Sequence, residues 1–164
     1  MKLIKQYPNE CFFTAICMVE DLNYEKVRND LIEERINDTT DWKYHEEFAK
    51  RYAPWMQKIV QTRYNNFNLN TPTTTDSFMN NDLSEKGIIT IYSYVYKLAE
   101  IPTKKYINGH SLAFENGIIY DPGIEKTFNS IDELLNYYRN LWETNNIDVV
   151  NITKKPNPNL NKKE

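Results

Sequence analysis

The chain has 164 residues and a mass of 19.6 kDa, which is one domain's worth of protein. Apolar residues make up 40% and charged residues 26%, enough to build a core, so disorder throughout is excluded, and no apolar run approaches the ~18 residues needed to span a bilayer. The net charge is −3, and setting aside Lys154 to Glu164, which holds four lysines and one glutamate, leaves a body of −6; that balance argues against general binding to a phosphate backbone.

The N-terminal stretch MKLIKQYPNE has no apolar h-region and no small-residue cleavage site, so no secretory signal is expected. Cys11 and Cys17 are the two cysteines; they form neither a disulfide framework nor a C-x-x-C zinc pattern, and a reducing cytoplasm is the expected compartment. A helical pattern begins after Pro8. Asn9 is the expected N-cap, Glu10 and Cys11 fall in the first turn, and Cys11, Ala15, Met18 and Leu22 recur at helical spacing. Asn23 is expected to cap a second helix with Tyr24, Val27, Leu31 and Arg35 on one face. Asp41 is expected to start a third, with Tyr44, Phe48 and Tyr52 as a stripe, and Pro54 predicts a kink or a new helix. His45 beside Glu46 and Glu47 reads as a solvated helix face, because adjacent helical positions do not converge on a metal.

Residues 62–82 are polar and rich in Asn and Thr, and read as a loop or excursion. Gly87 opens the strand-like run IITIYSYVY, with Tyr92, Tyr94 and Tyr96 on one side, expected to lie under helices. His110 to Phe114 and Ile118 to Tyr120 read as two strands joined by Asn116-Gly117, the strongest short hairpin signal. Ser130-x-x-Glu133 is a capping box ahead of Leu134, Leu135, Tyr138 and Trp142. A last strand, Ile147 to Ile152, precedes a tail expected to be disordered. Helices first and strands later predict a single α+β domain over residues 1–153, with helices packed on an antiparallel sheet, and a tail over 154–164.

Chemistry centres on Cys11. In the first turn of a helix its thiolate is favoured by the helix dipole, and the backbone N–H groups there can stabilise an oxyanion. A thiolate nucleophile needs a base. With a two-residue Asn116-Gly117 turn, Glu115 faces Ile118, Phe114 faces Ile119 and Leu112 faces Asp121, so His110 and Asp121 share a sheet face as diagonal neighbours. Asp121 can then hold the imidazole by one nitrogen and leave the other for the thiol. This depends on register, since a slip of one residue would turn Asp121 to the opposite face. Gln6, five residues before Cys11, can donate a second hydrogen bond to an oxyanion. Plainer readings stand beside these: Cys11 as a small buried hydrophobe, His110 as a strand terminus, Asp121 as a turn former in Asp-Pro-Gly, and Gln6 as a solvated residue. Cys17, between Ile16 and Met18, reads as core.

Gln6, then Cys11 opening C-F-F-T-A-I-C-M-V, then G-H-S-L-A-F-E-N-G-I-I-Y-D-P-G, resembles the papain-like cysteine peptidases. The likeness is nearest to small bacterial and phage relatives of the peptidases that trim double-glycine leader sequences. It covers the first thirty-odd residues and the stretch from Gly109 to Gly123. It implies a papain-like fold, with Cys11 as nucleophile, His110 as general base and acid, Asp121 as orienting carboxylate and Gln6 as oxyanion donor. It implies a protein or peptide substrate, hydrolysis of a peptide or isopeptide bond, and no metal or organic cofactor. The chain departs from the pattern at Phe12, where many relatives have glycine, and at Ser111, where an aromatic or branched residue is common. A non-catalytic binding protein on the same scaffold, and a glutamine deamidase or transglutaminase-type acyl transferase, are the competing functions.

Overall fold

A computed structural model describes residues 1–33, 42–56, 83–97 and 103–154. In chain order the elements are α1 (Cys11–Val19), α2 (Tyr24–Glu33), α3 (Trp42–Tyr52), a 3₁₀ turn (Pro54–Met56), β1 (Lys86–Lys97), β2 (Thr103–Glu115), β3 (Ile118–Asp121), β4 (Lys126–Phe128), α4 (Ile131–Leu141) and β5 (Ile147–Thr153). The five strands form one antiparallel sheet in the order β4-β3-β2-β1-β5. The fold is therefore α+β. No helix among the described residues is long and apolar enough to cross a membrane.

Both faces of the sheet are covered. Ile88, Tyr92, Ala113, Val150 and Ile152 pack with α1, α2 and α3. Their chain neighbours Ile89, Ile91, Leu112 and Val149 turn the other way and pack with Leu134 and Tyr138 of α4. A strand buried on both faces has no polar side to show, which is why Ile88-Ile89-Thr90-Ile91-Tyr92 reads as a nearly unbroken apolar run. Burial fades beyond Ser93, so of the three expected stripe residues Tyr92 is buried, Tyr94 half-buried and Tyr96 exposed. At that point an extra residue in β2, Ile107, breaks the pairing as a bulge.

α1 lies at the centre of the first layer. Every residue from Phe12 to Val19 is buried, the pattern of a helix enclosed on all sides. Its N-cap is Glu10 rather than Asn9. Asn9 is taken by a preceding turn: the Glu10 N–H donates to the Tyr7 carbonyl at 3.1 Å, Pro8 sits at the second position, and Asn9 adopts φ +64° at the third. Proline then a left-handed residue is the signature of a type II turn, which Asn tolerates. α2 follows expectation: the Asn23 Oδ1 accepts the Lys26 N–H at 3.1 Å, and Tyr24, Val27 and Leu31 are buried. On α3, Phe48 is buried against Tyr52, ring centroids 4.9 Å apart, and Pro54 starts the 3₁₀ turn. Arg35, the side chain of Tyr44, residues 62–82 and the tail from 155 lie outside the described residues.

The hairpin takes the predicted register, Glu115↔Ile118 and Phe114↔Ile119, with Asn116 at φ +52° and Gly117 at φ +84°. Two positive φ values make the turn type I′. β2 starts at Thr103, seven residues before the expected position, and β4 is an additional short strand. The Ser130 side chain caps α4 by accepting the Glu133 N–H at 3.1 Å, and the Glu133 Oε2 accepts from the Asn129 N–H.

Two glycines test what this sheet needs. A Cβ on Gly117 would meet nothing within 4 Å, so Gly117→Ala is expected to cost only the left-handed conformation, about 1–2 kcal/mol. A Cβ on Gly87 would lie 2.0 Å from the Ile152 carbonyl oxygen, so Gly87→Ala is expected to force β1 and β5 apart and cost about 3 kcal/mol or more, the top of the overpacking range. Denaturant unfolding of the two variants checks the order.

Candidate active site

The site forms where β3 stops. Continuing the β2–β3 register places Asp121 opposite Leu112 and Pro122 opposite Ser111. Pro122 has no N–H to donate, so the ladder ends there. Its carbonyl accepts the Gln6 N–H at 3.0 Å, and the Ser111 N–H, which points toward the missing strand, donates to the Cys11 Sγ at 3.4 Å. The N-terminus of α1 thus occupies the notch that a longer β3 would fill.

His110 and Asp121 lie on the α4 face of the sheet. The His110 Nε2 is 2.7 Å from the Asp121 Oδ1, and the imidazole and the Cys11 thiol lie near enough to shift each other's titration. With Nε2 held by the carboxylate, Nδ1 is the nitrogen left for sulfur. Asp121 is fully buried, and both oxygens are used. Oδ1 also accepts the Gly123 N–H at 2.8 Å, closing the Asp-Pro-Gly turn, and Oδ2 accepts the Tyr138 hydroxyl of α4 in a short hydrogen bond. The turn-former and orienting readings of Asp121 are one arrangement. Gly123 lets the ring lie close: a Cβ there would fall 3.0 Å from the His110 Cε1.

Electrostatics follow from this geometry. Burial pushes the Cys11 thiol up, but the hydrogen bond and positive charge of His110, with the backbone N–H groups of Ser111 and Phe12, outweigh it and leave the thiol below its ordinary value. Burial pulls His110 down, but hydrogen bonds to Asp121 and Cys11 and their negative charge raise it to about 9. Each group thus shifts the other toward its charged form, the thiol downward and the imidazole upward. Burial and Asp121 together raise the Tyr138 hydroxyl, which stays protonated as a donor. Cys17 has no such partners among the described residues; burial, then the nearby charge of Glu10, pushes it up to about 12.

Cys11, His110 and Asp121 are brought together, His110 hydrogen-bonded to Asp121 and the Ser111 N–H beside it to the Cys11 sulfur. Gln6 is tied to them through its backbone at Pro122; its Oε1 is buried and accepts no hydrogen bond among the described residues. Phe12 and Ser111, where the chain departs from the papain-like pattern, are both buried. The Phe12 ring packs into the α1 core, and the Ser111 hydroxyl lies 3.1 Å from the Thr90 hydroxyl beneath α1. Sequence reasoning missed the role of Tyr138, which it read only as one member of a helical pattern; nothing local marks a tyrosine whose partner lies 17 residues away on another element. Comparison with family models, with curated proteins and with solved structures finds no match.

Because the folded value of His110 lies above its ordinary 6.5, its contribution to stability is full below that pH and is lost as pH rises through about 9. Ring-proton NMR is expected to give a His110 midpoint near 9 that falls in Asp121→Asn. Tyr138→Phe leaves a buried carboxylate oxygen without its donor and is expected to cost about 1–3 kcal/mol in denaturant unfolding.

Proposed function

We propose that this chain is a thiol-dependent hydrolase of papain-like architecture that cleaves a peptide or isopeptide bond. The observation that supports it most is the grouping of Cys11, at the N-terminus of a buried helix, with His110 and its hydrogen-bonded partner Asp121, the Ser111 N–H next to His110 reaching the Cys11 sulfur. Those residue types in that order supply a nucleophile, a proton carrier and an orienting carboxylate.

The Cys11 thiolate attacks the carbonyl carbon; the S–C bond forms and the carbonyl π electrons move to oxygen. The Gln6 side chain and the Cys11 backbone N–H hold the oxyanion. His110 gives its Nδ1 proton to the leaving nitrogen as the C–N bond breaks. The imidazole then takes a proton from water, which attacks the thioester and returns the thiol. Asp121 keeps Nε2 engaged throughout, so the ring presents the same edge to sulfur, leaving group and water. The Asp121 carboxylate also stabilises the imidazolium that is present before the C–N bond breaks and that re-forms when water gives up its proton. The buried Tyr138 hydroxyl keeps the carboxylate from rotating away.

Alkylation of Cys11 by iodoacetamide tests the activated thiol. Its rate is expected to rise with a midpoint below the ordinary thiol value of 9.0, and the midpoint is expected to move up in His110→Ala. A wild-type midpoint at or above 9.0 would refute the proposal. Hydrolysis of an ester or peptide probe is expected to decline again as pH rises through about 9, where His110 loses the proton it must donate. Cys11→Ala is expected to abolish turnover with folding intact; retained biological activity in that variant would point to binding instead.

A further inference from the structure

A second buried carboxylate belongs to the residue directly before the nucleophile. Glu10, the residue before Cys11, is only 5% exposed. As the N-cap residue it could cap α1, yet its side chain makes no capping hydrogen bond. It is held by α2 instead. The Tyr24 hydroxyl donates to Oε1 at 2.5 Å, and the Arg28 Nε lies 3.1 Å from both oxygens. The Tyr24 oxygen also accepts the Tyr7 N–H at 3.1 Å. The Arg28 guanidinium stacks over the Tyr7 ring at 3.9 Å. One hydroxyl therefore grips both ends of the Tyr7–Glu10 turn, and that turn is all the chain between Gln6 and Cys11. Beyond it, Gln6 is anchored at Pro122 and Cys11 by its place at the head of α1.

From this we infer that Tyr24, acting through Glu10 and Tyr7, is a positioning residue that sets the separation of the two oxyanion donors, the Gln6 side chain and the Cys11 N–H. The inference rests on the acyl-transfer reading above. Its physical content is that an oxyanion site depends on donors placed to a fraction of an ångström, and a turn with a left-handed Asn9 holds its shape only when its ends are fixed.

Two reagents separate this role from the rest of the site. p-Nitrophenyl acetate acylates the thiolate: an S–C bond forms, the aryl C–O bond breaks, and p-nitrophenolate leaves through a tetrahedral oxyanion. Iodoacetamide alkylates the same sulfur by displacing iodide at a saturated carbon, with no oxyanion. In Tyr24→Phe, which keeps the ring and loses the hydroxyl, acylation is expected to fall at least about tenfold while alkylation is unchanged; complete loss of one oxyanion donor costs ~10²–10³. Glu10→Ala is expected to behave alike, and the double variant to be no worse than either single one, because both break one clamp. Glu10→Gln, which keeps an acceptor for Tyr24, is expected to acylate like wild type. Cys11→Ala supplies the background for both reagents.

Acylation unchanged in Tyr24→Phe, acylation and alkylation falling together, or additive losses in the double variant would each overturn the clamp, with the acyl-transfer reading left standing. A wild-type protein whose Cys11 reacts with neither reagent faster than an ordinary thiol would overturn the acyl-transfer reading and the clamp with it.

Discussion

The Asp121 carboxylate is the contact on which the arrangement depends. It is wholly buried, and a buried charge is tolerable only when every lone pair finds a donor. Its donors come from three directions: the His110 ring on β2, the Gly123 N–H in its own turn and the Tyr138 hydroxyl on α4. Each bond stabilises the carboxylate and also ties one element to the others. The helix on one face of the sheet, the end of β3 and the imidazole near the thiol are thereby held in one geometry. Weakening any one donor leaves the charge less compensated, so the network resists piecemeal loosening.

The neighbouring proline gives this geometry its opening. Had β3 continued, the Ser111 N–H would bond to another strand and no space would exist for α1 at that edge. Because Pro122 has no N–H, the strand ends, its carbonyl receives Gln6, and the Ser111 N–H reaches the Cys11 sulfur. Three adjacent residues thus do separate work. Asp121 holds the imidazole, Pro122 ends the sheet and Gly123 leaves room for the ring.

Two buried carboxylates lie near Cys11, and they are handled differently. Asp121 meets the sulfur only through the imidazole, so its charge raises His110 and, by way of His110, favours the thiolate. Glu10 directly precedes Cys11 in the chain and would oppose a thiolate there if uncompensated. Arg28 neutralises it, and Tyr24 turns it toward α2. Burial alone would raise the Arg28 guanidinium's tendency to lose its proton, but the pairing with Glu10 more than offsets this and keeps it charged.

Short-range chemistry was readable from residue order alone. Asn116-Gly117 admits both left-handed conformations of a type I′ turn, and that turn sets register, parity and the shared face of His110 and Asp121. Asn23 and the Ser130–Glu133 box mark helix starts because a side-chain oxygen there meets N–H groups within four residues. Asn9 misled for the same kind of reason: Asn serves a cap and a left-handed turn position equally well, and the preceding Pro8 tips the choice to the turn. Contacts across the fold left no such mark. Tyr138 on Asp121, Tyr24 and Arg28 on Glu10, and the Ser111 amide on Cys11 join residues that are distant in the chain, and each would read as ordinary core or surface by itself. The same holds for the second helical layer. An apolar run such as Ile88 to Tyr92 marks a buried strand, but only the packing of α4 against Leu112 and Ile89 makes its second face dry. Periodicity and turn chemistry act over a few residues, whereas which side chains share a buried charge is settled by how the layers close upon one another.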